Sequence, residues 1–266
     1  MKSLVFLKLG GSLITEKTQP RTPRLDVINR LAREIGASLA LHPELRLVVG
    51  HGSGSFGHVA AKKYGTRQGV HTPADWTGFA DVWHEARLLN QIVIEFLVTA
   101  GLPALSFPPS AGVLGEDGMV LKWDICSLEA ALENNLLPVV AGDVVFDTRR
   151  GGTILSTEDA FGYLARQLKP QRILLAGIEP GVWMDFPKRT TMIPVINQHN
   201  ITAVAPGLQG SPATDVTGGM AQKVASMLDL AQAVPGLEIL IFSGNEPGNI
   251  EQALQGASRG TVIRAE

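Results

Sequence analysis

Three lysines in this sequence stand close to glycine-rich segments, an arrangement that suits the binding of phosphate. Lys8 comes just before Gly10 and Gly11, Lys17 follows the same glycines, and Lys223 follows a glycine pair at 218–219. Glycines let an anion reach backbone N–H groups, because no Cβ stands in the way. An unpaired ammonium group is costly to bury, so a lysine within the apolar run SLVFLKL indicates a bound phosphate. The alternative is an edge lysine that extends its charge into water.

A second glycine-rich segment, HGSGSFGH at 51–58, follows the apolar run Leu45–Val49 and precedes a helical pattern. A strand, a glycine turn and a helix start together present backbone N–H groups, at the positive end of the helix, to an anion. The segment therefore predicts the centre of a phosphate site, which His58 closes on its carboxyl side.

Two alternatives exist for this segment. Gly52, Gly54 and Gly57 match G-x-G-x-x-G, the fingerprint of dinucleotide sites. That fingerprint follows the first strand and has an acidic residue about 20 positions later, at the end of the next strand. Here the segment follows the second strand and the acid at that distance, Asp75, opens a helical stretch, which argues against a dinucleotide. The other alternative is a tight turn without a ligand.

The motifs that are present and absent narrow the class of phosphate-handling protein. The sequence contains no G-x-x-x-x-G-K-[ST], H-R-D or D-F-G motif, which excludes P-loop enzymes and protein kinases. Isolated lysines beside glycine turns suit phosphoryl transfer to an acceptor that is itself an anion. A phosphate monoester is largely ionised at neutral pH, with a second pKa of about 6, so it needs no strong general base. The obstacle is to bring two anions together, which cations and backbone N–H groups overcome.

Composition is that of an ordinary globular chain. It has 266 residues, of which 45% are hydrophobic and 18% charged, and a net charge of −2. This balance offers no bulk attraction for nucleic acid or an anionic membrane. No apolar run approaches the length of a membrane span, and Cys126 is the single cysteine, which excludes a disulfide framework. We expect a cytoplasmic protein with no nucleic-acid or membrane partner.

Strand and helix patterns alternate along the whole chain and predict an α/β fold, with a mainly parallel sheet covered on both faces. The predicted strands are Ser3–Leu9, Leu45–Val49, Pro103–Phe107, Leu137–Ala141, Arg172–Ala176, Glu238–Phe242 and Gly260–Arg264. Hairpins are predicted at Val113–Trp123 and across Val144–Gly152. The predicted helices are Asp26–Leu41, Pro73–Ala100, Asp124–Asn135, Ile154–Lys169 and a helix from Thr217 to about Ala233.

Five segments, in this order, resemble the amino acid kinase superfamily and, within it, the isopentenyl phosphate kinases: KLGGSLITEK (8–17), HGSGSFGH (51–58), GD (142–143), STED (156–159) and DVTGGMAQK (215–223). The histidine that closes the second segment is typical of this branch and of the related fosfomycin kinases. Acetylglutamate, aspartate and uridylate kinases share the glycines and lysines but lack it.

The resemblance implies transfer of a phosphoryl group from ATP to isopentenyl phosphate with Mg²⁺. It implies a single αβα sandwich over residues 1–266, with the acceptor site in the N-terminal half, the nucleotide site in the C-terminal half and a homodimeric assembly. The implied catalytic residues are Lys8, Lys17, His58, Asp159 and Lys223, with Asp159 orienting the lysines. The implied ATP contacts are Lys8, Gly10, Gly11, Ser12, Ser53, Gly219 and Lys223, and the implied acceptor contacts are Gly52, Gly57, His58 and Thr157.

The apolar tail of such a substrate needs a wall of its own. Trp76, Phe79, Trp83 and Ala86 recur at helical spacing on the helix that follows the glycine segment. We expect Phe79, or Trp83 one turn deeper, to form the floor that limits tail length; the alternative makes them plain core. A kinase of another small phosphate or phosphonate, such as fosfomycin, and a non-catalytic anion-binding relative remain the alternative functions.

Overall fold

The computed structural model describes residues 3–205 and 219–266, except for the side chains of His58 and Val59. Its strands are β1 Leu4–Leu9, β2 Arg46–His51, β3 Ala104–Ser106, β4 Val113–Glu116, β5 Met119–Trp123, β6 Leu137–Ala141, β7 Asp143–Asp147, β8 Gly151–Leu155, β9 Arg172–Gly177, β10 Val182–Trp183, β11 Met192–Ile193, β12 Val195–Ile196, β13 Glu238–Ser243 and β14 Thr261–Ile263. Its helices are α1 Gly11–Ile14, α2 Leu25–Leu41, α3 Gly54–Tyr64, α4 Pro73–Thr99, α5 Cys126–Glu133, α6 Thr157–Leu168, α7 Ile201–Val204, α8 Gly219–Ala233 and α9 Asn249–Leu254.

A central sheet of eight strands, in the order β12-β14-β13-β9-β1-β2-β6-β3, joins strands from both halves of the chain. Its pairs are parallel except β13 with β14. Helices α5, α6 and α8 cover one face, and α2, α4 and α9 cover the other, each over its own apolar core. This arrangement confirms the predicted αβα sandwich. Within the described part of the chain, no helix is long and apolar enough to cross a membrane.

The second sheet, in the order β5-β4-β7-β8, contains the two predicted hairpins and corrects one predicted boundary. The sequence pattern places Ile154 and Leu155 at the start of a helix, but they complete β8, where Leu155 pairs with Asp143 of β7. Pairing with the neighbouring strand therefore decides their conformation, and α6 begins only after Ser156.

The register of the parallel strands brings the glycine segments to one edge of the sheet. Leu9 at the end of β1 pairs with His51 on one side and with Ala176 on the other. His51 pairs in turn with Ala141 of β6. The loops that leave these strands therefore meet at a single carboxyl edge, which is where ligands of open α/β sheets bind.

The loops after β1 and β2 lie directly against each other. A Cβ on Gly11 would lie 2.5 Å from the backbone nitrogen of Gly54 and 2.7 Å from its Cα. A Cβ on Gly52 would lie 2.8 Å from the nitrogen of Gly11. Both neighbours are backbone, so no side-chain rotation could make room. The glycines here permit close contact between two main chains.

Replacing Gly11 by alanine tests this contact. We expect Gly11→Ala to lower the free energy of unfolding by about 1–3 kcal/mol, because two loops must separate to admit the methyl group. Gly36→Ala is the matched control, since its Cβ would lie 3.5 Å from the nearest heavy atom, the carbonyl oxygen of Ala100. In the middle of α2 that change should stabilise by about 0.5–1 kcal/mol. Urea unfolding measures both, and equal effects from the two variants would contradict the packing argument.

Candidate active site

Lys8 lies near the end of β1, on the face of the sheet that α6 and α8 cover. Phe6, two residues earlier, belongs to the core on that face, whereas Leu7 and Leu9 belong to the opposite core. The Lys8 side chain is 11% exposed, and its ammonium group donates a hydrogen bond to the Glu158 carboxylate. The predicted cation is therefore buried against an acidic partner at the carboxyl edge.

Glu158 joins two of the predicted lysines. Its Oε1, already paired with Lys8, lies 3.4 Å from the Nζ of Lys223 on α8. The Glu158 side chain is 15% exposed and that of Lys223 is 28% exposed. A single carboxylate thus holds cations from β1 and α8, which are separated by most of the sequence.

Asp159 was predicted to orient the lysines, but the contacts that the structure describes for it are with Ser156 and Arg67. Its carboxylate accepts the backbone N–H of Ser156 at 2.8 Å, while its own N–H donates to the Ser156 hydroxyl at 3.0 Å. This reciprocal pair caps α6. Asp159 Oδ2 also lies 3.5 Å from Nη2 of Arg67, a residue that sequence reasoning missed. The capping pattern Ser156-x-x-Asp159 was visible in the sequence and leaves Glu158 free to face the lysines.

The two lysines lower the pKa of Glu158. Burial alone would raise the pKa, but attraction from Lys8 and then Lys223, with the hydrogen bond from Lys8, lowers it to about 2. The carboxylate is therefore charged throughout the neutral range. Its position in the first turn of α6, at the positive end of the helix dipole, acts in the same direction.

Thr157 was predicted to contact the acceptor, but its side chain is occupied elsewhere. It is 1% exposed, and its hydroxyl donates to the carbonyl oxygen of His51 at 2.6 Å. This bond ties the start of α6 to the end of β2. The Thr157 side chain therefore has a structural contact, and its predicted contact with the acceptor stays a prediction.

His51 is a second residue that sequence reasoning missed. Its buried ring lies 3.1 Å from Oδ1 of Asn90 through Nε2 and 3.2 Å from the carbonyl oxygen of Gly52 through Nδ1. Asn90 in turn donates to the Ser106 hydroxyl at 2.8 Å. Burial lowers the His51 pKa. This chain of contacts fixes the first residue of the glycine loop from α4.

Two of the predicted phosphate-binding N–H groups are used within the protein. The N–H of Gly10 donates to the carbonyl of Ala176 at 2.8 Å, and that of Gly52 donates to Leu9 at 3.0 Å. Gly10 and Gly52 therefore shape the loops and do not offer these N–H groups to an anion. Gly11 and Ser12 occupy the first turn of α1, where backbone N–H groups lack partners within the helix.

The other predicted residues lie around this edge. Ser53 packs against Gly57, where a Cβ would lie 2.8 Å from the Ser53 Cβ. Gly219 begins α8 with a φ of +73°. Lys17 is exposed in the turn that follows α1. His58 lies within α3, but its side chain falls outside what the structure describes, as do residues 215–218, so the roles assigned to them stay predictions.

Phe79 and Trp83 belong to an apolar cluster between three elements. Both pack against a small buried cluster made of Ala61 of α3, Val82 of α4 and Val144 of β7. The Phe79 ring also meets Trp76 and Phe146 at centroid distances of 5.3 and 5.4 Å. The cluster joins α3 and α4 to the β7–β8 hairpin, and the role of Phe79 and Trp83 as a floor for the acceptor tail stays a prediction.

The predicted magnesium ion has no protein cage among the residues that the structure describes. No group of three or more His, Cys, Asp or Glu side chains there could hold a metal ion. Glu158, the carboxylate at the site, is already paired with two lysines. The other charged groups at this centre are the ammonium groups of Lys8 and Lys223, which cannot bind a metal ion. The described side chains therefore do not fit a metal held by the protein alone.

The Glu158 ion pairs predict a dependence of stability on pH. Because the folded pKa of about 2 lies below the ordinary 4.5, the charged form stabilises the fold at neutral pH. That contribution, on the order of 3 kcal/mol, should disappear as pH falls from about 4.5 to about 2.

Urea unfolding between pH 2 and pH 7 measures this contribution as the difference in the free energy of unfolding between the wild type and Glu158→Gln. The difference should be large at neutral pH and shrink on acidification. Asp159→Asn is the matched control: it should lose about 1 kcal/mol through its cap and keep the acid-dependent loss. A Glu158→Gln protein whose stability falls with pH as steeply as the wild type would contradict the assignment.

Comparison with known proteins agrees with this geometry. The sequence model of the amino acid kinase family matches residues 3–243. An isopentenyl phosphate kinase of Methanocaldococcus jannaschii is 35% identical over 98% of this chain and 98% of that protein. Another, from Haloferax volcanii, is 37% identical over 99% of this chain and 100% of that protein.

Solved structures give the same answer. An isopentenyl phosphate kinase crystal structure superposes with a TM-score of 0.82 at 32% identity, covering 98% of this chain and 99% of that one. A product complex of the Thermoplasma acidophilum enzyme gives 0.78 at 26% identity, covering 98% and 100%. The chain therefore belongs to the amino acid kinase family and, within it, to the isopentenyl phosphate kinases.

Proposed function

We propose that this protein transfers the terminal phosphoryl group of ATP to isopentenyl phosphate, forming isopentenyl diphosphate and ADP. The observation that carries the proposal is the Lys8–Glu158–Lys223 set, placed at the carboxyl edge where two glycine loops touch. The names of the relatives support the choice of substrate.

The chemistry demands charge compensation more than proton transfer. The acceptor phosphate is already an anion at neutral pH, so it attacks without a strong base. Its approach to the terminal phosphate of ATP is opposed by repulsion, which prepositioned cations reduce. Glu158 holds the ammonium groups of Lys8 and Lys223 in place before ATP arrives, so that they need no reorganisation.

The remaining roles follow the resemblance. Lys17 stabilises the transferring group, and Gly11, Ser12 and Gly219 approach the ATP phosphates. His58 donates a hydrogen bond to the acceptor phosphate. Magnesium enters as part of the co-substrate MgATP, bound to nucleotide oxygens, since the described side chains offer no cage for it.

The proposal also covers the division of the domain into two sites and the assembly of a homodimer. The acceptor site belongs to the N-terminal half and the nucleotide site to the C-terminal half of one domain, which the continuous eight-stranded sheet supports. A homodimer is supported by exposed apolar side chains near the edge strand β3, among them Val98 (52%) and Leu105 (47%). We propose that the enzyme acts in the cytoplasm.

The tail site is the feature that separates isopentenyl phosphate from a polar acceptor. A five-carbon tail binds by shape and by apolar burial, at about 0.8 kcal/mol per CH₂. The cluster of Phe79, Trp83 and Val144 beside α3 supplies such a wall. Fosfomycin offers far less apolar surface to it.

Turnover with MgATP tests the proposal directly. We expect isopentenyl phosphate to be phosphorylated far more efficiently than fosfomycin, with one ADP formed for each diphosphate. Glu158→Gln should lower turnover strongly, since the lysines lose the carboxylate that holds them, and Asp159→Asn should lower it much less. Faster turnover of fosfomycin, or no turnover of either acceptor, would refute the function.

Phe79→Ala tests the tail wall. The truncation should open room for the ten-carbon geranyl phosphate and weaken isopentenyl phosphate only modestly, because the phosphate contacts are untouched. Michaelis constants for the two acceptors and the melting temperature measure the effect. Phe96→Ala, on the same helix but against the other core, is the matched control and should destabilise without changing preference. If Phe79→Ala loses about 3–5 kcal/mol of stability and its preference between the two acceptors is unaltered, Phe79 is an ordinary core residue and the tail wall is wrong.

A further inference from the structure

The turn that carries Lys17 is a closed loop, here called the lysine loop and comprising residues 16–22. The backbone N–H of Glu16 donates to the carbonyl of Thr22 at 2.9 Å, which closes the loop at its base. Just outside it, Thr15 and Pro23 form an antiparallel bridge. Lys17 is thus presented on a small ring of main chain, and its direction depends on how that ring is held.

One end of the lysine loop is fixed to the glycine loops. The Thr15 hydroxyl donates to the carbonyl of Gly11 at 2.8 Å and accepts the N–H of Ser55 at 2.9 Å. At the other end, the N–H of Arg21 donates to the Ser55 carbonyl at 3.2 Å. The Thr22 N–H lies 3.3 Å from the Ser55 hydroxyl. These bonds locate the base of the loop, but they leave its outer side to be held by something else.

A bidentate ion pair holds that outer side. Arg21 donates from Nε to one Glu85 oxygen at 2.8 Å and from Nη2 to the other. Glu85 lies on α4 and is 7% exposed, although it takes no part in the charged centre around Glu158. A carboxylate buried to this degree is costly unless it is paired, so the contact resists opening.

The backbone of Arg21 gives a second sign that the loop is constrained. Its φ is +52°, in the left-handed region that residues with a side chain seldom adopt. Such a conformation persists when the surrounding contacts determine it. Here those contacts are the Ser55 bond on the main chain and the Glu85 pair on the side chain.

We infer that Glu85 is a positioning residue for the phosphoryl transfer, holding Lys17 in its working direction through Arg21 and the lysine loop. The inference rests on the proposed function, because it needs Lys17 to act on the transferring group. It gives the buried carboxylate of α4 a purpose that its own helix does not require.

The test uses the full-length enzyme and compares kcat in four proteins: wild type, Glu85→Gln, Lys17→Ala and the double variant. Glu85→Gln should lower kcat by about ten- to a hundredfold, since small misplacements of a catalytic group cost that much. The KM for ATP and for the acceptor should change by less than about threefold. In the Lys17→Ala background the same change should alter kcat by less than about twofold, because the group being positioned is gone.

Two further variants separate positioning from general damage. Asp81→Asn removes a second carboxylate of α4 that, like Glu85, lines a cleft of about 270 Å³ beside Arg21; Asp81 accepts a bond from Tyr64 and acts on Arg21 only through its charge, with no hydrogen bond to the lysine loop. It should leave kcat within about twofold of the wild type. Arg21→Lys changes only the largely exposed end of the pair and carries little risk to folding. It should reproduce part of the kcat loss, because lysine cannot make the bidentate contact.

Several outcomes would overturn the inference. They are a wild-type kcat in Glu85→Gln, an equal loss from Glu85→Gln with and without Lys17, or a Lys17→Ala enzyme with unchanged turnover. If Glu85→Gln does not fold, the same comparison is made with Arg21→Lys, whose loss must also vanish in the Lys17→Ala background. A wild-type enzyme that phosphorylates a different acceptor refutes the proposed substrate and leaves these ratios measurable with that acceptor.

Discussion

The carboxylate of Glu158 is the group on which the charged centre of this protein depends. Its bond to Lys8 compensates the charge of an ammonium group that is 11% exposed on this face of the sheet, where an uncompensated charge is costly. Lys8 and Lys223 both pair with one oxygen of this carboxylate. The charged centre is therefore organised around an anion that balances its cations.

Close approach of main chains is the second constraint, and it comes from the parallel sheet. Because β1, β2 and β9 end in register, the loops that follow them converge, and side chains at the contact would push them apart. Gly11 and Gly52 remove that obstacle. The N–H groups of Gly10 and Gly52 then hold neighbouring strands, so part of the glycine-rich sequence stabilises the edge and does not itself bind the ligand.

Helix α4 serves the site from different faces. The Phe79 ring meets Phe146 of the β7–β8 hairpin, and Trp83 belongs to the same apolar cluster. Asn90 holds His51 at the start of the glycine loop, and Glu85 holds Arg21 of the lysine loop. A single helix thus relates this apolar cluster to both loops, so their relative positions do not rely on loop residues alone.

Much of the fold could be predicted from the sequence, because apolar periodicity and the placing of glycines are local signals. The strands predicted at Ser3–Leu9 and Leu45–Val49, the hairpins and the alternation that produces a parallel sheet were predictable in this way, although β2 continues through Gly50 and His51, which the pattern assigns to the glycine turn. So was the cationic character of the site, since an ammonium group inside an apolar strand, as at Lys8, requires an anion beside it. The short motifs also sufficed to indicate the family.

Only the tertiary structure decided which side chains meet. Glu158 and Asp159 are neighbours with the same charge, and their roles differ because the second and third residues of a helix point in different directions. The capping box takes Asp159, while Glu158 faces Lys8, which is 150 positions away in the sequence. The Thr157 hydroxyl likewise donates to the carbonyl of His51. Glu85 pairs with Arg21 on a loop whose position no periodicity could have predicted. Such pairings depend on the packing of α4 and α6 across the sheet, a long-range property that a local pattern does not contain.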